Sequence, residues 1–200
     1  MEAMRRTQRF EDRRAAGEKK ADLDWDAALR FVESLHNGAD AGDGAGGFAY
    51  SPADAKAGTD ETKGGKVVLR SYGSMTYSGL LALVYCRIGP DDPRVRSTLD
   101  WASRHWTLDE NPGVGDQGLY FFYDVLGRAL SAAGVQEIPL AGGGGGASVK
   151  WNAALAAKLA SLQCADGSFA NRNGRFWEND RVLTTGYSAV ALSFAAGVLR

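Results

Sequence analysis

Two cysteines, two histidines and five prolines are all that this chain of 200 residues carries of each, and each scarcity removes a class of explanation. Cys86 and Cys164 are far apart and in no CxxC motif, so no disulfide framework is present and any metal would need other ligands. They read as unpaired structural thiols. His36 and His105 are too few for the three convergent ligands of catalytic zinc, and the residues point to no metal and no cofactor. Charge of one sign is also lacking: the net value is −1. The chain as a whole has no pull toward nucleic acid or an anionic membrane, although a local basic groove stays open. No uncharged apolar run reaches membrane-spanning length.

Residues 1–22 mix Arg5, Arg6, Arg9, Arg13, Arg14, Lys19 and Lys20 with five acids and have no apolar stretch of the kind export needs. They read as a charged N-terminal arm, a solvated helix or a disordered segment. Residues 23–200 read as the folded domain. The default location is the cytoplasm, or the exported space if the chain continues upstream.

What the chain has instead is glycine, 26 residues of it, five in the run Gly142 to Gly146, on an ordinary background of 44% hydrophobic and 24% charged residues. Glycine clusters with little proline fit helices separated by flexible loops. Apolar residues at steps of three and four mark helix faces. Asp24 caps a stripe at Trp25, Ala28, Leu29, Val32 and Leu35. Asn37 to Lys66 is a long Gly- and Asp-rich loop, functional or mobile by its length. A second helix carries Tyr77, Leu80, Leu81, Val84 and Ile88; a third, opened by Asp92 and Pro93, carries Val95, Leu99, Ala102 and Trp106. A fourth starts near Asp116, holds Leu119, Phe122, Leu126 and Leu130, and ends at Gly134. Trp151, Leu155, Leu159 and Leu162 mark a fifth, and Leu183, Tyr187, Val190 and Phe194 a sixth after Asp180. No alternating strand pattern stands out. The expected class is all-α, antiparallel hairpins joined by short connectors.

Two self-similarities run through these helices. Thr76-Tyr77-Ser78-Gly79-Leu80-Leu81-Ala82-Leu83 pairs with Thr185-Gly186-Tyr187-Ser188-Ala189-Val190-Ala191-Leu192. Leu35-His36 followed by Gly46-Gly47-Phe48 pairs with Leu162-Gln163 followed by Asp166-Gly167-Ser168-Phe169. In the second pair a polar residue satisfies backbone groups at a helix end, glycine reverses the chain, and an aromatic folds back onto the hairpin. Stacked hairpins then share one core. The stretch Leu159 to Phe169 resembles the QW-type repeat of squalene and hopene cyclases and protein prenyltransferase β subunits, with Phe169 where the cyclases usually have Trp. Trp101 to Leu130 and Trp177 to Leu192 are similar to bacterial prenyltransferase/squalene oxidase repeat proteins. The resemblance spans about residues 23 to 200. It implies an α/α toroid in which the second, fourth and sixth helices are inner and the others outer. Three hairpins make about half the family's ring, so it implies a partial ring whose open edges are covered by self-association or by a partner.

The family's chemistry does not follow the resemblance. The cyclases' DxDD is absent, and Asp22-Leu23-Asp24-Trp25-Asp26 has the wrong spacing and opens an outer helix. The transferases' Asp-x-Cys pair is absent, and Leu183 and Thr184 stand where they place a zinc-binding His. Gln163, Asp166, Gly167 and Phe169 are structural members of the repeat motif. Tyr77, Tyr120, Phe121, Tyr123 and Tyr187 form either an aromatic cavity wall or ordinary helix packing. Asp116 either faces the cavity or caps its helix. His105 lacks a visible partner. The acids of Trp177-Glu178-Asn179-Asp180 either cap the helix that follows or line a pocket mouth. Three functions stay open. One is a catalytically silent module that binds an apolar, isoprenoid-like ligand or a partner in an aromatic cavity. The others are an active isoprenoid cyclase or transferase and a structural assembly module.

Overall fold

The computed structural model describes residues 1–141 and 146–199; most of the glycine run, read above as a loop, lies outside them. The chain is helix-rich. Seven α-helices, α1 (Glu2–Glu11), α2 (Trp25–Ser34), α3 (Gly73–Tyr85), α4 (Pro93–Arg104), α5 (Leu119–Ala132), α6 (Trp151–Leu162) and α7 (Arg181–Ala195), carry the described fold. Two short antiparallel pairs interrupt it, β1 (Thr59–Glu61) with β2 (Val67–Leu69) and β3 (Glu137–Pro139) with β4 (Ser148–Lys150). Three residues per strand are too few for an alternating pattern to register, which is why the sequence showed none. The long loop also holds a 3-10 turn at Ala39–Gly44.

The middle of the molecule is a row of three helices, with α5 between α3 and α7. Phe121 packs on Tyr187 at 5.7 Å, and one to two turns further along the Arg128 guanidinium lies 5.7 Å from the Phe194 ring, so α5 and α7 run parallel. Tyr77 meets Phe122 at 5.8 Å, which sets the starts of α3 and α5 side by side. Helices α2 and α4 pack against α3, and α6 packs against α7 and α5. Leu155 and Leu159 of α6, like Leu80, Leu126 and Leu130 of the row, are fully buried. All three helices of the row end alike. The N–H groups of Arg87 and Ile88, Gly134 and Val135, and Gly197 and Val198 fold back onto carbonyls of the last turn, with the first of each pair at positive φ. This is the Schellman ending; Arg87 takes it at φ 63° without being glycine.

The aromatic after each glycine turn closes its hairpin by one bond of the same kind. The Phe48 N–H donates to Thr76 Oγ1 at 3.1 Å, and the Phe169 N–H donates to Thr185 Oγ1 at 3.1 Å. Both rings are buried. Gln163 Nε2 donates to the Gly167 carbonyl at 2.9 Å, and Asp166 Oδ1 accepts from the Ser168 N–H and hydroxyl while its other oxygen pairs with Arg181. Gly167 sits at φ 83°, where a side chain would be strained.

The arm is docked rather than solvated over its first half. Met1 packs against the core, Arg5 Nε donates to the Tyr85 carbonyl at 2.7 Å with its guanidinium 3.7 Å over Trp25, and Glu2 pairs with Arg128 at 3.1 Å. No helix among the described residues is long and apolar enough to cross a membrane.

Two glycines separate crowded from open positions on this row. A Cβ at Gly79 would stand 2.4 Å from the Phe48 ring, whereas one at Gly186 meets nothing within 4 Å. Gly79→Ala is expected to destabilise by about 1–3 kcal/mol, and Gly186→Ala to stabilise by about 0.5–1 kcal/mol, both read by urea unfolding. The first hairpin should also sense pH. Burial foremost, then the charge of Arg94, holds the His36 pKa below its ordinary value. The unfolded chain therefore takes up the proton first. The His36 contribution is complete above about pH 6.5 and is lost as pH falls through the lower folded pKa. Unfolding of His36→Gln should show a shallower loss of stability between pH 7.5 and 5.5 than the parent.

Candidate functional site

The helix starts of the row converge at one end of the molecule, and side chains from later segments of the chain hold those of α3 and α5 there. The first N–H groups of an α-helix have no partner inside it. For α3 the partner is Asn111, whose Oδ1 accepts from the Ser74 N–H at 2.9 Å while its Nδ2 reaches Ser74 Oγ and the Gln117 carbonyl. For α5 it is Glu178, fully buried, whose Oε1 accepts from the Phe121 N–H at 2.8 Å. Its Oε2 accepts from Asn171 Nδ2 at 2.8 Å. Asp180 caps α7 locally, accepting from the Val182 N–H at 2.8 Å. The acid pair Glu178 and Asp180 thus serves two different helices.

Asp116 does neither thing expected of it. Helix α5 starts three residues later, at Leu119, with Gly118 as its cap residue in the left-handed conformation at φ 64°. Asp116 is exposed, accepts from Asn173 Nδ2 at 2.8 Å, and lends its carbonyl to Asn171. Its work is to tie the loop before α5 to the loop before α7.

Between these loops lies a cavity of about 270 Å³. Tyr50, Tyr72, Phe121, Phe176 and Tyr187 wall it with rings, and Met75 adds a flexible apolar face. Burial, with Tyr50 and Asp54 nearby, pushes the Tyr72 phenol up to about 12, so the ring is a neutral wall across the working pH range. Burial raises Tyr187 as well. Phe176 and Trp177 both take positive φ, 62° and 65°. Two consecutive left-handed aromatics store backbone strain, a feature that concentrates at functional positions. They leave Phe176 against the cavity and Trp177 80% exposed beside it.

Of the aromatic residues nominated from sequence, Phe121 and Tyr187 reach this cavity. Tyr77, Tyr120 and Tyr123 are buried core. The Tyr120 hydroxyl donates to the Ala170 carbonyl at 3.3 Å and the Tyr123 hydroxyl to that of Leu108 at 2.6 Å. Tyr50, Lys56, Tyr72 and Phe176 were missed; they sit in irregular segments with no periodicity, where the aromatic pair beside Arg175 was the available signal.

A second, wider cleft of about 1220 Å³ opens between the 3-10 turn, the β1–β2 hairpin and His105. Most of its charges are paired: Lys66 with Asp40, Arg70 with Asp60, His105 with Asp43. His105 stacks on Trp101 at 4.3 Å, with Nδ1 3.0 Å from the Trp101 carbonyl and Nε2 3.0 Å from Asp43 Oδ2. Each ring nitrogen thus faces an oxygen of the protein. Among the described residues no three His, Cys, Asp or Glu side chains are grouped to hold a metal. No protein-family model matches the chain, and neither does any curated protein or solved structure.

Removing the Glu178 side chain would leave the Phe121 N–H unpaired and take from Asn171 Nδ2 one of its two acceptors, the other being the Asp116 carbonyl. Glu178→Ala is expected to cost about 2–4 kcal/mol, against about 1 kcal/mol for Asp180→Ala at the exposed start of α7. Equal losses in denaturant unfolding would deny Glu178 its cross-hairpin role.

Proposed function

We propose that the chain is a hairpin array of the α/α-toroid type, similar to the cyclase and prenyltransferase repeat proteins, that binds a small apolar ligand without transforming it. The observation that carries the binding reading is the five-ring cavity at the helix starts of α3, α5 and α7. A concave site with mostly apolar walls and a few polar groups is the usual form of a small-molecule site. The toroid reading is supported by the row α3–α5–α7 with α2, α4 and α6 packed against it, and by the matching Phe48–Thr76 and Phe169–Thr185 closures. Three hairpins then form a partial ring. The missing DxDD and zinc-ligand positions argue for a catalytically silent member.

An assembly role has one observation in its favour. The flank of α7 away from α5 exposes Val182, Gly186 and Ala189 at helical spacing, the kind of small apolar surface another helix can approach closely.

The binding reading is tested with N-phenyl-1-naphthylamine, a neutral dye that brightens on leaving water. Saturable binding is expected, weakened about tenfold by Phe121→Ala or Tyr187→Ala through lost ring contact. Squalene incubated with the protein should be recovered unchanged. Absence of saturable binding, or binding indifferent to both substitutions, removes the cavity from consideration; a cyclised product removes the silent reading.

A further inference from the structure

The lining of the cavity carries one charge, and it is positive; the carboxylate of Asp54 acts on Tyr72 from outside the lining. Lys56 is the only ionisable cation or anion among its lining residues besides the neutral phenols. Its Nζ lies 4.3 Å from the Tyr50 ring centroid and 5.6 Å from that of Phe176. Among the described residues no carboxylate pairs with it. Ring faces hold an ammonium in place without neutralising it. A second positive influence comes from α3, whose first turn supplies Ser74 and Met75 to the wall. A helix start carries partial positive charge. At α5 that charge faces the carboxylate of Glu178, but at α3 the cap is the neutral amide of Asn111. A neutral ligand would leave Lys56 without a counter-charge, and a cation would be repelled by it. The cavity of about 270 Å³ is below the usual range for drug-sized ligands; it holds a one- or two-ring body and not a long polyprene.

We propose that the pocket takes a compact aromatic monocarboxylate, its ring against Phe121, Tyr187 and Tyr72 and its carboxylate at Lys56. This rests on the reading that the cavity binds apolar ligands, and adds the charge and size of what enters. The bond gained is a charge-assisted one from the ammonium to a carboxylate oxygen, at a site shielded on one side by rings.

Calorimetric titration of the full chain with 2-naphthoate and with its neutral isostere 2-naphthamide separates the two statements. The naphthoate is expected to bind about fivefold more tightly or better, with the preference shrinking as salt is added. Lys56→Met, on an exposed loop where folding is not at stake, should bring the two ligands to equal affinity, while Lys56→Arg keeps the preference. Equal binding by the parent protein, or a preference that survives Lys56→Met, overturns the carboxylate proposal and leaves apolar binding standing. Failure of both ligands to bind overturns apolar binding and the proposal with it.

Discussion

A carboxylate buried among hairpins is the hinge of this architecture. Glu178 belongs to the segment before α7, yet the N–H group it accepts from opens α5, 57 residues earlier. Water cannot satisfy a helix start that is packed against its neighbours, so a side chain must. Asn111 stands in the same relation to α3, supplied by the chain before α5. The segment before α5 thus brings the cap of α3, and the segment before α7 brings that of α5. The helices of the row are coupled through these bonds as well as through apolar burial. Helix α7 has a local cap, Asp180, and its first turn faces solvent, with Val182 83% exposed.

The cavity follows from the same bonds. Caps that reach across hairpins draw the loops before α5 and α7 together over the helix starts, where Asn171 and Asn173 both bond to Asp116. Core packing ends one turn below, at Tyr77 and Phe122. Above it the loops meet with rings that do not interdigitate, and a small space remains. The left-handed Phe176 and Trp177 belong to this crowding. The chain from Asn171 to Asp180 must bury Glu178 and still cap α7 two residues on, which leaves few backbone paths, and the observed one passes through sparsely populated dihedrals.

The face of α6 was legible in the sequence because that helix presents one stripe to the core. Leu155 and Leu159, read as a stripe, are fully buried. The phase of the row was not legible. A helix such as α5, buried on most of its circumference by α3, α6 and α7, carries aromatic residues at consecutive positions, and at 100° per residue they point in different directions. Tyr120, Phe121, Phe122 and Tyr123 look alike on the page, yet Phe121 alone lines the cavity. Asp116 and Glu178 failed a local reading for a related reason. An acid near a helix start is read as the cap of that helix, and nothing in the spacing records that Glu178 serves α5 while Gly118 opens it. The closing motif was legible because all its parts lie within seven residues, from Gln163 to Phe169, and the bonds of its turn are made there.

The distribution of buried polar groups bears on chemistry. Thr76, Thr184 and Ser188 bond to backbone, Asp124 to Arg128, Asn111 and Glu178 to helix starts. Burial raises the Asp124 pKa and Arg128 pulls it back, so even this interior acid has a partner that fixes it. Nearly every polar group inside the molecule is thus committed to holding helices in register, and the indole nitrogens of Trp25 and Trp101 stand as the unpaired exceptions. At the cavity, Ser74 and Asn111 are occupied with capping each other's segments. Lys56 is the charged residue of the lining, its ammonium resting on two rings.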